Sequence, residues 1–236
     1  MQITFIVPCY NAENIIVSNY RRLNLFLRKN LVKSKIIYIN DGSKDNTFEK
    51  LCEIKNKNVK IINNKNNLGK SKSVINALKK VTTNYVVLID CDLPYFQYLK
   101  KILNNLKYYD LVIVNRKLKK SSNIDKNKNS YKVIRNIVSN FLGKLIEKKL
   151  QLKVNGDTQA GLKAFRISKQ LKNNKFFSKY YFFDIELISY FRKNKFKIKL
   201  VPVKFKISDK SSIKIFSFKN FKIIFEFFRI LKKIKT

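Results

Sequence analysis

YVVLIDCDLPY, residues 85–95, sets an unbroken apolar run against two carboxylates, Asp90 and Asp92, one residue apart. The run is too short for a helix and does not alternate, so it reads as a strand buried on both faces, the signature of a parallel sheet. Runs of the same kind recur at 3–8 (ITFIVP), 35–40 (KIIYIN), 59–62 (VKII) and 110–114 (DLVIV). Segments with helical spacing lie between them, at about 14–30, 46–55, 70–80 and 96–107. Strands alternating with helices predict an α/β domain: a doubly wound, mainly parallel sheet flanked by helices, with ligands at the carboxyl ends of the strands. Polar clusters fall at those ends: Pro8-Cys9-Tyr10-Asn11, Asn40-Asp41-Gly42-Ser43, Asp90-Cys91-Asp92 and Asn115-Arg116. Four clusters on one rim describe a site.

Composition narrows the chemistry. Across 236 residues there are 52 basic and 15 acidic side chains, a net charge of +37, and no histidine. Without histidine a Cys–His nucleophile is excluded, and acid–base work falls to carboxylates, lysine or tyrosine. Cys9, Cys52 and Cys91 form no CxxC pair, which argues against a zinc site or a disulfide framework. Neither GxxxxGK[ST] nor GxGxxG occurs, disfavouring a P-loop NTPase or a nicotinamide-dependent dehydrogenase. The Lys-, Asn- and Ile-rich bias is what an AT-rich coding sequence produces; its functional reading is attraction to nucleic acid or to an anionic membrane surface. Residues 3–8 are too short for a signal peptide and no apolar stretch reaches the ~18–20 residues of a membrane span, so a cytosolic protein is expected.

On an extended chain, residues two apart point the same way, so Asp90 and Asp92 are expected to aim at one spot, with Cys91 facing away. A divalent cation would relieve their repulsion, and Mg²⁺ or Mn²⁺ suits carboxylate oxygens completed by substrate phosphates. The competing reading makes Asp90 a helix cap and Asp92 the partner of a lysine. In NDGSKDNT (40–47), Asp41 could accept from a base or ribose, Gly42 and Ser43 make the turn, and Asp45 or Thr47 cap the next helix.

Past residue 116 the pattern changes. Residues 117–130 are polar and low in complexity and are expected to form a mobile loop; a helix is expected at 131–150, another near 182–194, and a strand at 197–207. The C-terminal segment is helical in pattern, with a polar stripe of Lys219, Lys222, Glu226, Arg229 and Lys233. Its wide apolar face (Phe218, Phe221, Ile224, Phe225, Phe228, Leu231) fits a membrane interface, the domain core or a second subunit.

IVPCYNAE (6–13), NDGSKDNT (40–47), NNLGKSKSVINAL (66–78) and DCD (90–92), in this order, resemble the nucleotide-sugar half of family 2 inverting glycosyltransferases, which have a GT-A fold. VNRKLKKSS (114–122), DTQAGLKAFR (157–166), FFDIEL (182–187) and VPVKFKISDKSSIK (201–214) resemble the dolichyl- and polyprenyl-phosphate glycosyltransferases, closest to their glucosyltransferase-like branch. The resemblance implies a GT-A domain over 1–214, divided into a nucleotide-sugar half (1–116) and an acceptor half (117–214), followed by an amphipathic helix (215–236). It implies that Pro8, Tyr10, Glu13, Asp41, Gly69, Lys70, Asp90 and Gln159 bind the nucleotide sugar, and that Asp90 and Asp92 hold Mg²⁺ or Mn²⁺ on the donor diphosphate. Arg116 and Arg135 would meet the acceptor phosphate. Asp157, Thr158, Asp184 and Glu186 would lie near the donor sugar, with Asp157, Asp184 or Glu186 as base for a hydroxyl acceptor. Asp92, Arg116, Arg135, Asp157 and Asp184 are thus the expected catalytic set.

There are departures. Pro94 stands where mannosyl-transferring members often carry a metal-binding Gln, NDGS replaces DDGS, and the membrane helices of many relatives have no counterpart here. The partners implied are a UDP-glucose-like donor, a lipid-linked phosphate and an anionic membrane surface on the cytoplasmic side. A sugar hydroxyl on a growing glycan is the alternative acceptor, and nucleic acid is not expected.

Overall fold

The structure, a computed structural model, describes residues 1–123, 141–151, 157–205 and 219–234. The expected strands form as β1 (Ile3–Cys9), β2 (Ser34–Asp41), β3 (Val59–Asn64), β4 (Tyr85–Ile89) and β5 (Leu111–Asn115). The expected helices form as α1 (Ile16–Lys29), α2 (Thr47–Cys52), α3 (Lys70–Leu78) and, after a 3₁₀ turn at Phe96–Tyr98, α4 (Leu99–Asn105). Helix α5 covers 141–150, so the amino-terminal half of the segment expected at 131–150 lies outside the described residues, Arg135 with it.

Two strands, β7 (Leu162–Arg166) and β8 (Ile198–Pro202), complete a seven-stranded sheet in the order β3-β2-β1-β4-β7-β5-β8. Strand β7 runs antiparallel between β4 and β5, with Val87 opposite Ala164 and Val112 opposite the same residue; every other pairing is parallel. This is a GT-A fold, as the sequence led one to expect, with one strand that the run of LKAFR did not announce. Part of the stretch 117–130 also differs from the expected mobile loop. Its first residues turn into β6 (Ser122–Asn123), which pairs with β9 (Lys204–Phe205), while Ser121 Oγ donates to Asn115 O. Residues 124–130 lie outside the described residues.

Alternate strand residues enter two cores. Phe5, Tyr38, Val87, Val112 and Ala164 pack under α1 and α4, whereas Ile6, Ile39, Leu88, Ile113 and Phe165 pack under α3, α5 and α7 (Phe183–Lys193). A short helix, α6 (Lys169–Asn173), precedes α7, its first turn capped where Ser168 Oγ accepts from Leu171 N. The last helix, α8 (Lys219–Lys233), lies on the second core through Phe227, Ile230 and, just beyond it, Ile234. No helix among the described residues is long and apolar enough to cross a membrane.

Candidate active site

Because β1, β2, β4 and β5 are parallel, their carboxyl ends share one rim, and antiparallel β7 brings its amino end to the same place. On that rim the segments after β1 and β2 are laced together. Asn11, with a left-handed φ of 49°, accepts from Lys44 N and donates its own amide to Ser43 Oγ; Ala12 N donates to Thr47 Oγ1 and Glu13 Oε2 accepts from Asn46 N. Asp45 accepts from Thr47 N just ahead of α2, but the cap position expected of Asp45 or Thr47 falls to Asn46, whose side chain makes no capping bond. Burial works against the Asp45 charge, and hydrogen bonds from Thr47 and Glu13 outweigh it, holding its carboxyl below the ordinary range. Glu13 thus braces two loops, Pro8 is buried within β1, and Tyr10 presents an exposed ring to the rim.

Asp41 is engaged differently from the expected contact with base or ribose. Its Oδ1 accepts from Asn64 Nδ2, Leu68 N and Ser73 Oγ at 2.6–3.0 Å, and Oδ2 accepts from Gly69 N at 3.0 Å. This buried carboxylate fastens the turn that leads into α3, and the chain's own donors take up its lone pairs. Gly69 needs its φ of 92° there, and a Cβ would fall 2.5 Å from Lys179 O. The first turn of α3 is itself occupied, since Ser71 N and Lys72 N donate to the carbonyls of Tyr180 and Lys179.

The acidic pair departs from the extended geometry. Strand β4 ends at Ile89, and Leu93 N donates back to Asp90 O, so Asp90–Leu93 is a turn followed by left-handed φ values at Leu93 (50°) and Tyr95 (60°). Non-glycine residues held in that region mark a strained segment fixed by its surroundings. The fixing is visible: Asp90 N donates to Gly161 O, and a Cβ on Gly161 would come within 2.6 Å of Asp90 Oδ2. Asp90 Oδ1 pairs with Lys70 Nζ at 2.5 Å, so lysine pairing falls to Asp90 rather than Asp92. Desolvation and the nearby Asp90 charge push the Asp92 carboxyl above its usual range. Two hard carboxylates that repel each other, one already neutralised by a cation, fit a divalent ion. Among the described residues no group of three or more His, Cys, Asp or Glu gathers here, so a cation held by Asp90 and Asp92 would need further oxygens from a bound ligand such as a diphosphate.

Arg116 and Asp157 form the second feature. Asp157 is 1% exposed and accepts from Arg116 N (2.6 Å), Nε (3.1–3.2 Å) and Nη2 (2.5 Å). Desolvation works against the guanidinium charge, and Asp157 first and the nearby Tyr95 second outweigh it and raise the Arg116 pKa. Asp157 therefore serves as the seat of Arg116 and is not a free base. Next to it, Thr158 is buried, while Gln159 is exposed with its amide 3.4 Å from Thr158 Oγ1.

Behind Asp90 lies a buried pair that the sequence did not suggest. Lys163 Nζ, on β7, donates to Ala160 O at 2.5 Å and sits 3.2 Å from Asp184 Oδ2. Burial pulls the lysine down and pushes Asp184 up, and each charge offsets part of that shift in the other. Asp184 Oδ1 is buried without a hydrogen-bond partner. Glu186, expected near the sugar, instead accepts from Phe177 N and Ser178 N at 2.8 Å. Glu226, read as part of the polar stripe of the last helix, is buried and accepts from Lys179 N and Tyr180 N. That loop, 177–180, is the one whose carbonyls cap α3.

The rim thus joins Lys70, Asp90, Asp92, Arg116, Asp157 and Asp184, with Tyr95, Gly161 and Lys163 as partners not foreseen individually. Period-two burial in LKAFR, with Leu162 and Ala164 in one core and Phe165 in the other, was the signal for Lys163. A mainly parallel sheet with one antiparallel strand, and with an acidic turn and an arginine gathered on one rim, has the architecture of a GT-A domain. The chain belongs to Glycosyl transferase family 2, whose sequence model matches residues 4–170.

Relatives agree at the level of the family. Over 91 residues the chain is 36% identical to poly-beta-1,6-N-acetyl-D-glucosamine synthase of Staphylococcus aureus strain N315, covering 38% of this chain and 21% of that protein. Over 95 residues it is 33% identical to uncharacterized glycosyltransferase YkcC of Bacillus subtilis, covering 39% and 29%. The matched stretch therefore spans less than a third of those relatives. Glucosyl-3-phosphoglycerate synthase of Mycobacterium tuberculosis, solved with uridine diphosphate, superposes with a TM-score of 0.68 at 16% identity, covering 98% of this chain and 80% of that one.

Proposed function

We propose that the protein transfers a hexose, with inversion, from a UDP-glucose-like donor to a polyprenyl or dolichyl phosphate. The observation that carries this reading is the placement of opposite charges on one rim: the acidic turn Asp90–Asp92 for a cation-bound diphosphate, and Arg116, seated on buried Asp157 and still one-third exposed, for a second phosphate. Mg²⁺ or Mn²⁺ held by Asp90 and Asp92 would neutralise charge on the departing diphosphate.

The acceptor phosphate has its second pKa near ~6 and is already an anion at neutral pH, so it needs no base. That suits a chain with no histidine. Arg116 orients the phosphate, one oxygen attacks the anomeric carbon, the bond from that carbon to the donor diphosphate breaks, and the nucleoside diphosphate leaves. No proton need move. Relatives solved with uridine diphosphate, and with Mn²⁺ and uridine-diphosphate-glucose, support the choice of donor class.

A sugar hydroxyl is the second acceptor reading, favoured by the likeness to the staphylococcal polysaccharide synthase and by Asp184 Oδ1. That oxygen is the one buried side-chain acceptor left unpartnered among the described residues, on a carboxyl that burial has raised. A hydroxyl would need such a base.

Thermal unfolding against UDP, GDP, UDP-glucose and GDP-mannose, with and without Mn²⁺, tests the donor site. A ligand at 100 times its Kd adds about 2.7 kcal/mol. A metal-dependent shift with a uridine nucleotide, lost in Asp92→Asn, is expected; no shift with any nucleotide would remove the reading. Transfer of labelled glucose to polyprenyl phosphate but not to oligosaccharide then separates the two acceptors.

A lipid acceptor calls for a membrane surface, and α8 offers one. Its buried side docks on the core, while Ile224, Phe225 and Phe228 are 50%, 71% and 52% exposed among the exposed cations Lys222, Arg229 and Lys232. Lying in an anionic interface would bury these rings, each contributing up to about 1.5–3 kcal/mol. Phe225→Ser with Phe228→Ser should weaken co-sedimentation with phosphatidylglycerol vesicles more than about tenfold. Binding equal to wild type would discard α8 as the anchor.

A further inference from the structure

Asp90 already has a cation. Lys70 Nζ lies 2.5 Å from Oδ1, with both side chains about one-third exposed to the rim. Gly161 backs the carboxylate closely: a Cβ there would come within 2.6 Å of Oδ2 and within 2.8 Å of Pro94 Cγ. The Asp90 amide is bound to Gly161 O, which fixes the backbone from which the carboxylate projects. The carboxylate thus meets the rim from a fixed seat, with the lysine on one of its two oxygens. Lys70 opens α3, whose first turn is pinned by the carbonyls of Lys179 and Tyr180, so the ammonium is delivered to Asp90 by the fold and not by a wandering surface chain.

We infer that Lys70 is the resident counter-cation of the Asp90 position, exchanged for the divalent ion only when a nucleotide diphosphate arrives to receive the displaced ammonium. The inference rests on the metal role given to Asp90 and Asp92 above. Its consequence is that metal and nucleotide bind as a pair. A divalent ion alone must displace an ammonium that then has no anion to meet. A nucleotide diphosphate brings negative charge for Lys70 as it brings further oxygen ligands for the ion. The coupling is reciprocal: whatever nucleotide adds to metal affinity, metal adds to nucleotide affinity.

Mn²⁺ binding to the full chain, followed by electron paramagnetic resonance of the free ion, reads this directly and needs no turnover. Without nucleotide, Lys70→Gln should bind Mn²⁺ about five- to tenfold more tightly than wild type, and Lys70→Arg, which keeps a cation, should match wild type. With UDP present, wild type should gain the larger increase in Mn²⁺ affinity and Lys70→Gln a smaller one. Equal or weaker Mn²⁺ binding by Lys70→Gln in the absence of nucleotide overturns the exchange. Failure of wild type to bind Mn²⁺ even with UDP overturns the metal reading itself, and the two failures appear in different samples. Wild type and Lys70→Arg also differ little in shape, so their comparison with Asp92→Asn stands even if Lys70→Gln folds poorly: Asp92→Asn should lose Mn²⁺ with UDP, and Lys70→Arg should not.

Discussion

Lys163→Met is expected to lower folding stability by about 3–5 kcal/mol, the cost of breaking a buried ion pair from one side. The methionine fills most of the lysine's volume, so packing changes little. What remains is Asp184, 6% exposed, with one oxygen already unpartnered and the other newly deprived of its ammonium. Ala160 O would lose its donor too, loosening the segment that carries Thr158 to Gly161 against Asp90. Urea unfolding measures the loss. Lys163→Met with Asp184→Leu should recover most of it, because a well-packed apolar pair tolerates the same burial. If the single variant is as stable as wild type, the pair does not hold the rim together.

Arg116→Ala is expected to reduce transfer to polyprenyl phosphate at least about a hundredfold, the scale for removing one preorganised charge from a transition state. It should also cost stability, since Asp157 would keep its burial and lose its partner. The confounding is removed by pairing Arg116→Gln with Asp157→Asn, two neutral amides able to keep hydrogen bonds across the same gap. That double variant should unfold near wild type and still show the metal-dependent UDP shift, yet fail to transfer. Recovery of transfer would mean that the positive charge of Arg116 is not what the acceptor meets.

What could be read beforehand was whatever local pattern dictates. Uninterrupted runs such as ITFIVP and YVVLID bury on both faces, and no other element accommodates that; β1 and β4 followed. The rim followed from the rim-forming rule of parallel sheets. What could not be read was set by partners distant in sequence. Asp41 looked available for a ligand because its four donors come from residues 64–73, brought back by α3 and its turn. Asp90 and Asp92 looked extended because nothing in DCDLP announces that Gly161, 71 residues on, will bend the chain into a turn. Lys163 drew no notice and Glu226 read as one member of a polar stripe, because a charge in the sequence does not show where a buried opposite charge or a cluster of amides will receive it.

The seating of Glu226 has a consequence for the order in which this chain is made. Its carboxylate receives the amides of Lys179 and Tyr180 across 46–47 residues of sequence, and the carbonyls of those same residues close the first turn of α3 beneath Lys70. At about 5–20 residues per second, a ribosome needs roughly 2–9 s to travel that distance. For that interval a nascent chain holds six of the seven strands of the sheet, β8 being made partway through it, but not the carboxylate that settles the loop under the rim. The rim thus matures only once residue 226 has been made. An unfinished chain would present a sheet without a working mouth.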